Sequence, residues 1–173
     1  GGGTEGGVEG SSEASRRAEE GLPARGVLIA NFNQLYKLDG DTFAIWLQVL
    51  KKVGGAVLWL RSEKGDGERS LQRAAEKAGI DPGRIVFARW AATSDEHVRR
   101  SALASLSLDT PLYTSMTTAC DILWAGVPLV SLPGKKMVSR LAASLLVALG
   151  VPELIARTPR DFSALSLSLA ASA

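Results

Sequence analysis

The stretch LSLDTPLYTSMTTACDILWAGVPLVSLPG, Leu106 to Gly134, decides the fold. It opens on a short apolar run, Leu106–Asp109, which reads as a strand. A loop follows, then a helix over Thr117–Gly126. A Gly-Val-Pro turn leads into a second apolar run, Pro128–Leu132. Strand, helix and strand in that order form one βαβ unit. Both strands read as continuous apolar runs rather than alternating patterns, as expected where both faces of a sheet are covered.

Working outward, the same alternation recurs. Val27–Phe32, Ala56–Leu60 and Arg84–Ala88 are further strand candidates. Asp41–Val53 carries apolar residues at Phe43, Ile45, Trp46, Leu47, Val49, Leu50 and Val53, which suits a helix. Asp41 or Thr42 is its expected N-cap, and Gly54-Gly55 ends it. Glu68–Gly79 reads as an amphipathic helix. Ser94–Ser105 reads as a helix capped by Ser94. Ser139–Gly150, the short Pro152–Ala156 and the tail Pro159–Ala173 complete the helical set. Short strands alternating with longer helices predict an α/β fold with a Rossmann-like parallel sheet. Residues 1–21, rich in Gly, Ser and Glu, hold almost no core material and read as a flexible linker or insertion. Order is expected to begin near Leu22, with residues 22–173 forming one lobe.

Composition narrows the function. Of 173 residues, 46% are hydrophobic and 22% charged, as in ordinary globular domains. A net charge of +2 gives no reason to expect nucleic acid or an anionic membrane as partner. No apolar run approaches the ~18 residues that span a bilayer. One cysteine, Cys120, and one histidine, His97, make a metal site an unattractive reading. The single cysteine fits a reducing compartment. There is no GxGxxG after the first strand and no GxxxxGK[ST], so neither a classical dinucleotide site nor a P-loop is expected.

On a parallel sheet, ligands bind at the carboxyl ends of the strands. That places Asn31–Lys37, Arg89–His97, Asp109–Asp121 and Pro133–Ser139 around any site. Thr117 and Thr118 stand where a helix begins. They either cap it or hold a phosphate with the free N–H groups and the helix dipole. Asp121 falls on the same helix face and either accepts from a sugar hydroxyl or faces solvent. Gln34 and Lys37 follow the first strand, and Lys37 either reaches a phosphate or is solvated. His97 and Arg100 are three residues apart and share a face, where Arg100 offers a planar donor fork.

Taken together, NFNQLYKLD, AVLWL, RIVFA, EHVRR, LDTPLY, TTACDILWAGVPLVSLPGKKMVSRLAASLL and GVPELIA, in this order, resemble the C-terminal catalytic lobe of the O-linked N-acetylglucosamine transferases. The SPINDLY-type protein O-fucosyltransferases are a more distant likeness. The resemblance runs from about Leu22 to Phe162. It implies the C-terminal lobe of a GT-B glycosyltransferase that binds UDP-GlcNAc and passes GlcNAc, with inversion and without a metal, to Ser/Thr hydroxyls of intracellular proteins. The expected location is cytoplasmic or nuclear. Gln34 and Lys37 match residues on the diphosphate, with Lys37 stabilising charge on the departing UDP. Ala91, His97 and Arg100 match the uracil side, Thr117 and Thr118 the phosphates, and Asp121 the ribose. The resemblance also implies a second, N-terminal catalytic lobe and TPR repeats as partners, both outside this sequence, so that the chain alone is expected to be inactive. A degenerate, non-catalytic nucleotide-binding or interaction module, and a lobe using GDP-fucose, are the rival readings.

Three departures stand out. Met116 occupies the place of a family histidine. The segment between Phe87 and His97 is one residue longer than the pattern. Thr93 or Ser94 stands where the family has a lysine on the ribose.

Overall fold

The computed structural model describes residues 12–173. Five parallel strands form one sheet in the order β3-β2-β1-β4-β5: β1 (Leu28–Asn31), β2 (Val57–Arg61), β3 (Ile85–Ala88), β4 (Leu106–Leu108) and β5 (Leu129–Val130). In register, Ile29 lies beside Leu58 on one side and Leu106 on the other. Seven helices accompany them: α1 (Glu13–Glu19), α2 (Gly40–Lys52), α3 (Asp66–Lys77), α4 (Ser94–Ser101), α5 (Thr117–Trp124), α6 (Leu141–Ala148) and α7 (Pro159–Ala171). Among the described residues no helix is long and apolar enough to cross a membrane.

Two apolar clusters sandwich the sheet. Successive side chains of a strand point to opposite faces, and β1 shows it. Ile29 joins Phe43, Trp46 and Leu50 of α2 and Phe162 of α7. Leu28 and Ala30 join Ile122 of α5 and Leu146 of α6. Every residue of β1 is buried, which explains why the strand reads as an apolar run as far as Asn31, whose amide is hydrogen-bonded.

The caps differ in detail from the sequence expectation. Asp39, not Asp41 or Thr42, caps α2, its carboxylate accepting from the Thr42 N–H at 3.0 Å and the Thr42 hydroxyl at 2.6 Å. Thr93, not Ser94, caps α4 by accepting from the Glu96 N–H, and that helix ends at Ser101 rather than Ser105. The side-chain oxygen that reaches an N–H three residues on wins the cap, whichever residue starts the apolar periodicity. Helix α5 closes on Gly126, whose φ of +79° allows the Gly126 N–H to reach the Leu123 carbonyl and the Val127 N–H to reach Ile122. The segment at Pro152–Leu154 is a single 3-10 turn.

The expected start of order near Leu22 needs correction. Residues 13–19 form α1, capped by Ser12. Its Arg17 is buried, paired with Glu13 at 2.9 Å and donating to the Gly26 carbonyl at 3.0 Å. Charge pairing, not apolar burial, holds this segment, so a reading based on hydrophobic content misses it. The rest of the expected linker, residues 1–11, lies outside the described residues.

Phe162 is fully buried and brings α7 onto the same face as α2. Phe162→Ala should therefore lower the unfolding free energy by about 3–5 kcal/mol in chemical denaturation. A loss under about 1 kcal/mol would mean that α7 is not part of the cooperative core.

Candidate functional site

The strand order reverses between β1 and β4, because β1 is followed by a helix on one face and β4 by a helix on the other. The carboxyl ends of these strands part to leave a crevice. Its floor is a buried polar network. Asp109, fully buried, accepts from the Ser115 N–H and hydroxyl, both at 2.8 Å, and from the Ser131 hydroxyl at 2.7 Å. Asn33 donates from Nδ2 to Thr110 Oγ1 and Ser115 Oγ, each at 2.8 Å. Asn31 joins it, accepting from the Asn33 N–H and donating to the Leu108 carbonyl. Burial pushes the Asp109 carboxyl above the usual carboxylate range, against the pull of its hydrogen bonds from Ser115, Ser131 and Thr110.

Above this floor sits Lys37, in a 3-10 turn, its Nζ 4.1 Å from the centre of the Tyr113 ring. Partial burial lowers its pKa, and the nearby Asp109 charge opposes that shift. Gln34 is exposed at the start of the same turn. Across the crevice α5 begins at Thr117. The residue in its N-cap position is Met116, 59% exposed, whose side chain makes no capping bond. The threonine hydroxyls do not cap either: neither Thr117 nor Thr118 has a side-chain hydrogen bond among the described residues. Free N–H groups, two free hydroxyls and a helix dipole thus meet at one point.

Beside it lies a cleft of about 320 Å³. Ala91, His97, Arg100, Thr118 and Asp121 all line it, with Phe32, Arg61 and Trp90. Gln34, Lys37 and Thr117 lie outside that lining, at the switch point. His97 packs edge-on against Phe32, ring centres 5.3 Å apart. Its Nδ1 lies 3.3 Å from an Arg100 guanidinium nitrogen, and its Nε2 3.8 Å from Asp121 Oδ2. A guanidinium only donates, so Nδ1 accepts, and the neutral ring carries its proton on Nε2, toward Asp121. Burial, then the Arg100 charge, hold the imidazole pKa below its ordinary value, while Asp121 raises it and Arg61 lowers it.

Arg100 is 9% exposed and donates to the Arg89 carbonyl while stacking 5.2 Å from the Phe32 ring. It braces the loop that carries Ala91. Glu96 clamps that loop again by accepting from the Ala92 N–H at 2.8 Å and pairing with Arg89. Arg89 in turn meets Glu20 at the end of α1, 3.1 Å away. Ala91 lines the cleft, and its N–H and C=O make no hydrogen bond among the described residues. Sequence reasoning placed the segments holding Asn33, Asp109 and Ser115 at the site without singling these residues out, and it missed Ser131 and Glu20. A carboxylate directly after an apolar strand was the one local signal, at Asp109.

Residues 4–173 match the model of Glycosyl transferase family 41. The chain is 44% identical over 153 residues to the UDP-N-acetylglucosamine–peptide N-acetylglucosaminyltransferase of Caenorhabditis elegans, covering 88% of this chain and 13% of that protein. It is 40% identical to the probable transferase SEC of Arabidopsis thaliana, covering 90% of this chain and 16% of that one. It is 28% identical to the probable transferase SPINDLY of Petunia hybrida, again over only 16% of its length. In structure it resembles Thermobaculum terrenum O-GlcNAc transferase, with a TM-score of 0.79 and 28% identity, over 84% of this chain and 28% of the other. The expected fold, a Rossmann-like lobe of the GT-B type, is met.

The depressed His97 pKa has a testable sign. Below its ordinary value of 6.5 the unfolded chain takes up a proton that the folded chain resists, so stability is lost as pH falls through that region. Urea midpoints should decline between about pH 6.5 and 5, and His97→Gln should flatten the slope there. An equal slope in both proteins would remove His97 as its source. With the family model matching nearly the whole chain and these relatives beside it, the chain belongs to glycosyl transferase family 41.

Proposed function

We propose that this chain is the donor-binding lobe of a protein O-GlcNAc transferase. It would hold UDP-GlcNAc while GlcNAc passes to Ser/Thr hydroxyls of acceptor proteins. The observation that carries the reading is the uncapped start of α5 at the switch point, with Thr117 and Thr118 unengaged and Asp121 one turn on, opposite His97. Phosphate oxygens would accept from the α5 N–H groups and the two hydroxyls, the ribose hydroxyls would donate to Asp121, and the base would lie near Ala91 and His97.

Lys37 is the group placed to act in the reaction itself. Its ammonium stands at the switch point with Gln34 beside it, where negative charge grows on the departing diphosphate. The Tyr113 ring holds its ammonium in advance, so little reorganisation is needed when that charge develops. Arg100 serves by holding the loop. No metal enters this reading, because the helix N-terminus and Lys37 supply the positive end. The acceptor hydroxyl must be presented from outside this chain. The relatives' greater lengths leave room for a second lobe and for TPR repeats that would recruit acceptors. A cytoplasmic or nuclear location accords with the lone Cys120 and with acceptors inside the cell.

Calorimetric titration of UDP, UDP-GlcNAc and GDP into the chain tests this. UDP should bind in preference to GDP. Lys37→Ala and Asp121→Ala should each weaken UDP about tenfold, or about 1.4 kcal/mol. Absence of heat at millimolar UDP would reject the donor-lobe reading, and a preference for GDP would redirect it to a fucosyl donor.

A further inference from the structure

The 3-10 turn that carries Lys37 does not satisfy its own first amide. Gln34 stands in the N-cap position and makes no side-chain capping bond, so the Leu35 N–H needs an acceptor from elsewhere. That acceptor comes from a different strand end. Glu63, in the loop after β2, takes the Leu35 N–H on Oε1 at 2.9 Å. The Leu35 side chain reaches the same region: its Cδ1 is 3.4 Å from the position a Cβ would occupy at Gly67, near the start of α3. The turn therefore rests on the β2–α3 connection through both its backbone and its side chain.

That connection is held in a strained conformation. Lys64 is the one non-glycine residue with a positive φ among the described residues, at +47°. Its neighbours enforce it. A single oxygen of Glu68, in the first turn of α3, accepts from the Ser62 hydroxyl at 2.7 Å and from the successive N–H groups of Glu63 and Lys64, each at 2.9 Å. Backbone strain of this kind persists where surrounding contacts over-determine it, and it gathers at functional sites. Here it fixes the backbone of Glu63 and so limits where that carboxylate can go.

We propose that Glu63 is a positioning residue for Lys37, acting through the Leu35 N–H, with Glu68 and the strained Lys64 as its support. The inference rests on the donor-lobe reading above and deepens it. The Tyr113 ring holds the ammonium, and Glu63 holds the turn from which that side chain extends. A preorganised charge is effective only if its backbone stays in place while the substrate's charge develops. A hydrogen bond to a carboxylate is stronger than one to a neutral acceptor, which suits an anchor that stands in water.

The test is calorimetry of UDP and UMP with Glu63→Ala and Glu63→Gln, each made in the unaltered chain and in a Lys37→Met background. Glu63 is exposed, so both variants should keep the thermal midpoint. Glu63→Ala should weaken UDP about fivefold, and Glu63→Gln, which keeps a carbonyl acceptor at the same reach, should recover most of that loss. UMP lacks the outer phosphate and should change much less. In the Lys37→Met background Glu63→Ala should have no further effect, since no ammonium remains to be placed. A merely structural loss would weaken both nucleotides and would persist without Lys37. The Leu35 amide proton reports the contact by NMR with no nucleotide present: it should move upfield in Glu63→Ala and stay near its place in Glu63→Gln. The assignment is overturned, and the donor-lobe reading stands, if UDP binds the unaltered chain but Glu63→Ala changes neither its affinity nor the Leu35 amide. The same holds if Glu63→Gln is no better than Glu63→Ala, or if Glu63→Ala costs as much with Lys37→Met as without it. If the unaltered chain does not bind UDP, the donor-lobe reading falls and this role falls with it.

Discussion

The carboxylate of Asp109 is the constraint on which the site depends. A fully buried charge is tolerated only where donors surround it. Here the donors come from the loop after β4 and from the end of β5, while Asn33, after β1, donates to the Ser115 hydroxyl. The requirement to satisfy one buried group therefore draws three strand ends together. It fixes the loop that leads into α5 and the one that carries Lys37. Removing one partner would leave the others unsatisfied in a low-dielectric interior, so the network is held as a unit.

A second network governs the neighbouring cleft. Glu20, Arg89 and Glu96 form a chain of charges from α1 to α4, and Arg100 fastens the intervening backbone. The wall beside Ala91 is thus shaped by a helix lying before the first strand. The network also recasts Thr93, one of the two residues at the place where the resemblance implied a lysine: it caps α4 and so positions His97 one turn later.

Much of the architecture was legible because its causes are local. Apolar runs at β1, β2 and β3, helical periodicity over Phe43–Val53, and glycine stops at Gly79 and Gly126 act within a few residues. The candidate site was legible in part. His97, Arg100, Thr118, Asp121 and Ala91 were all singled out, and they line one cleft. The role of Arg100 as a brace was not legible, since the carbonyl it holds is eleven residues away in a loop of no regular form. Whether Thr117 and Thr118 cap a helix or stand free was equally hidden, because both arrangements use the same residues at the same helix start.

The amino-acid sequence by itself determined the alternation of strand and helix, the parallel sheet buried on both faces, and the strand ends at which a ligand could sit. Hydrophobic periodicity and turn chemistry suffice for that, because each operates over one element. Tertiary structure alone decided the strand order, the crevice between β1 and β4, and the partners of Asp109. Those depend on contacts between residues far apart in the chain, such as Asn33 with Ser115, whose pairing no local pattern encodes.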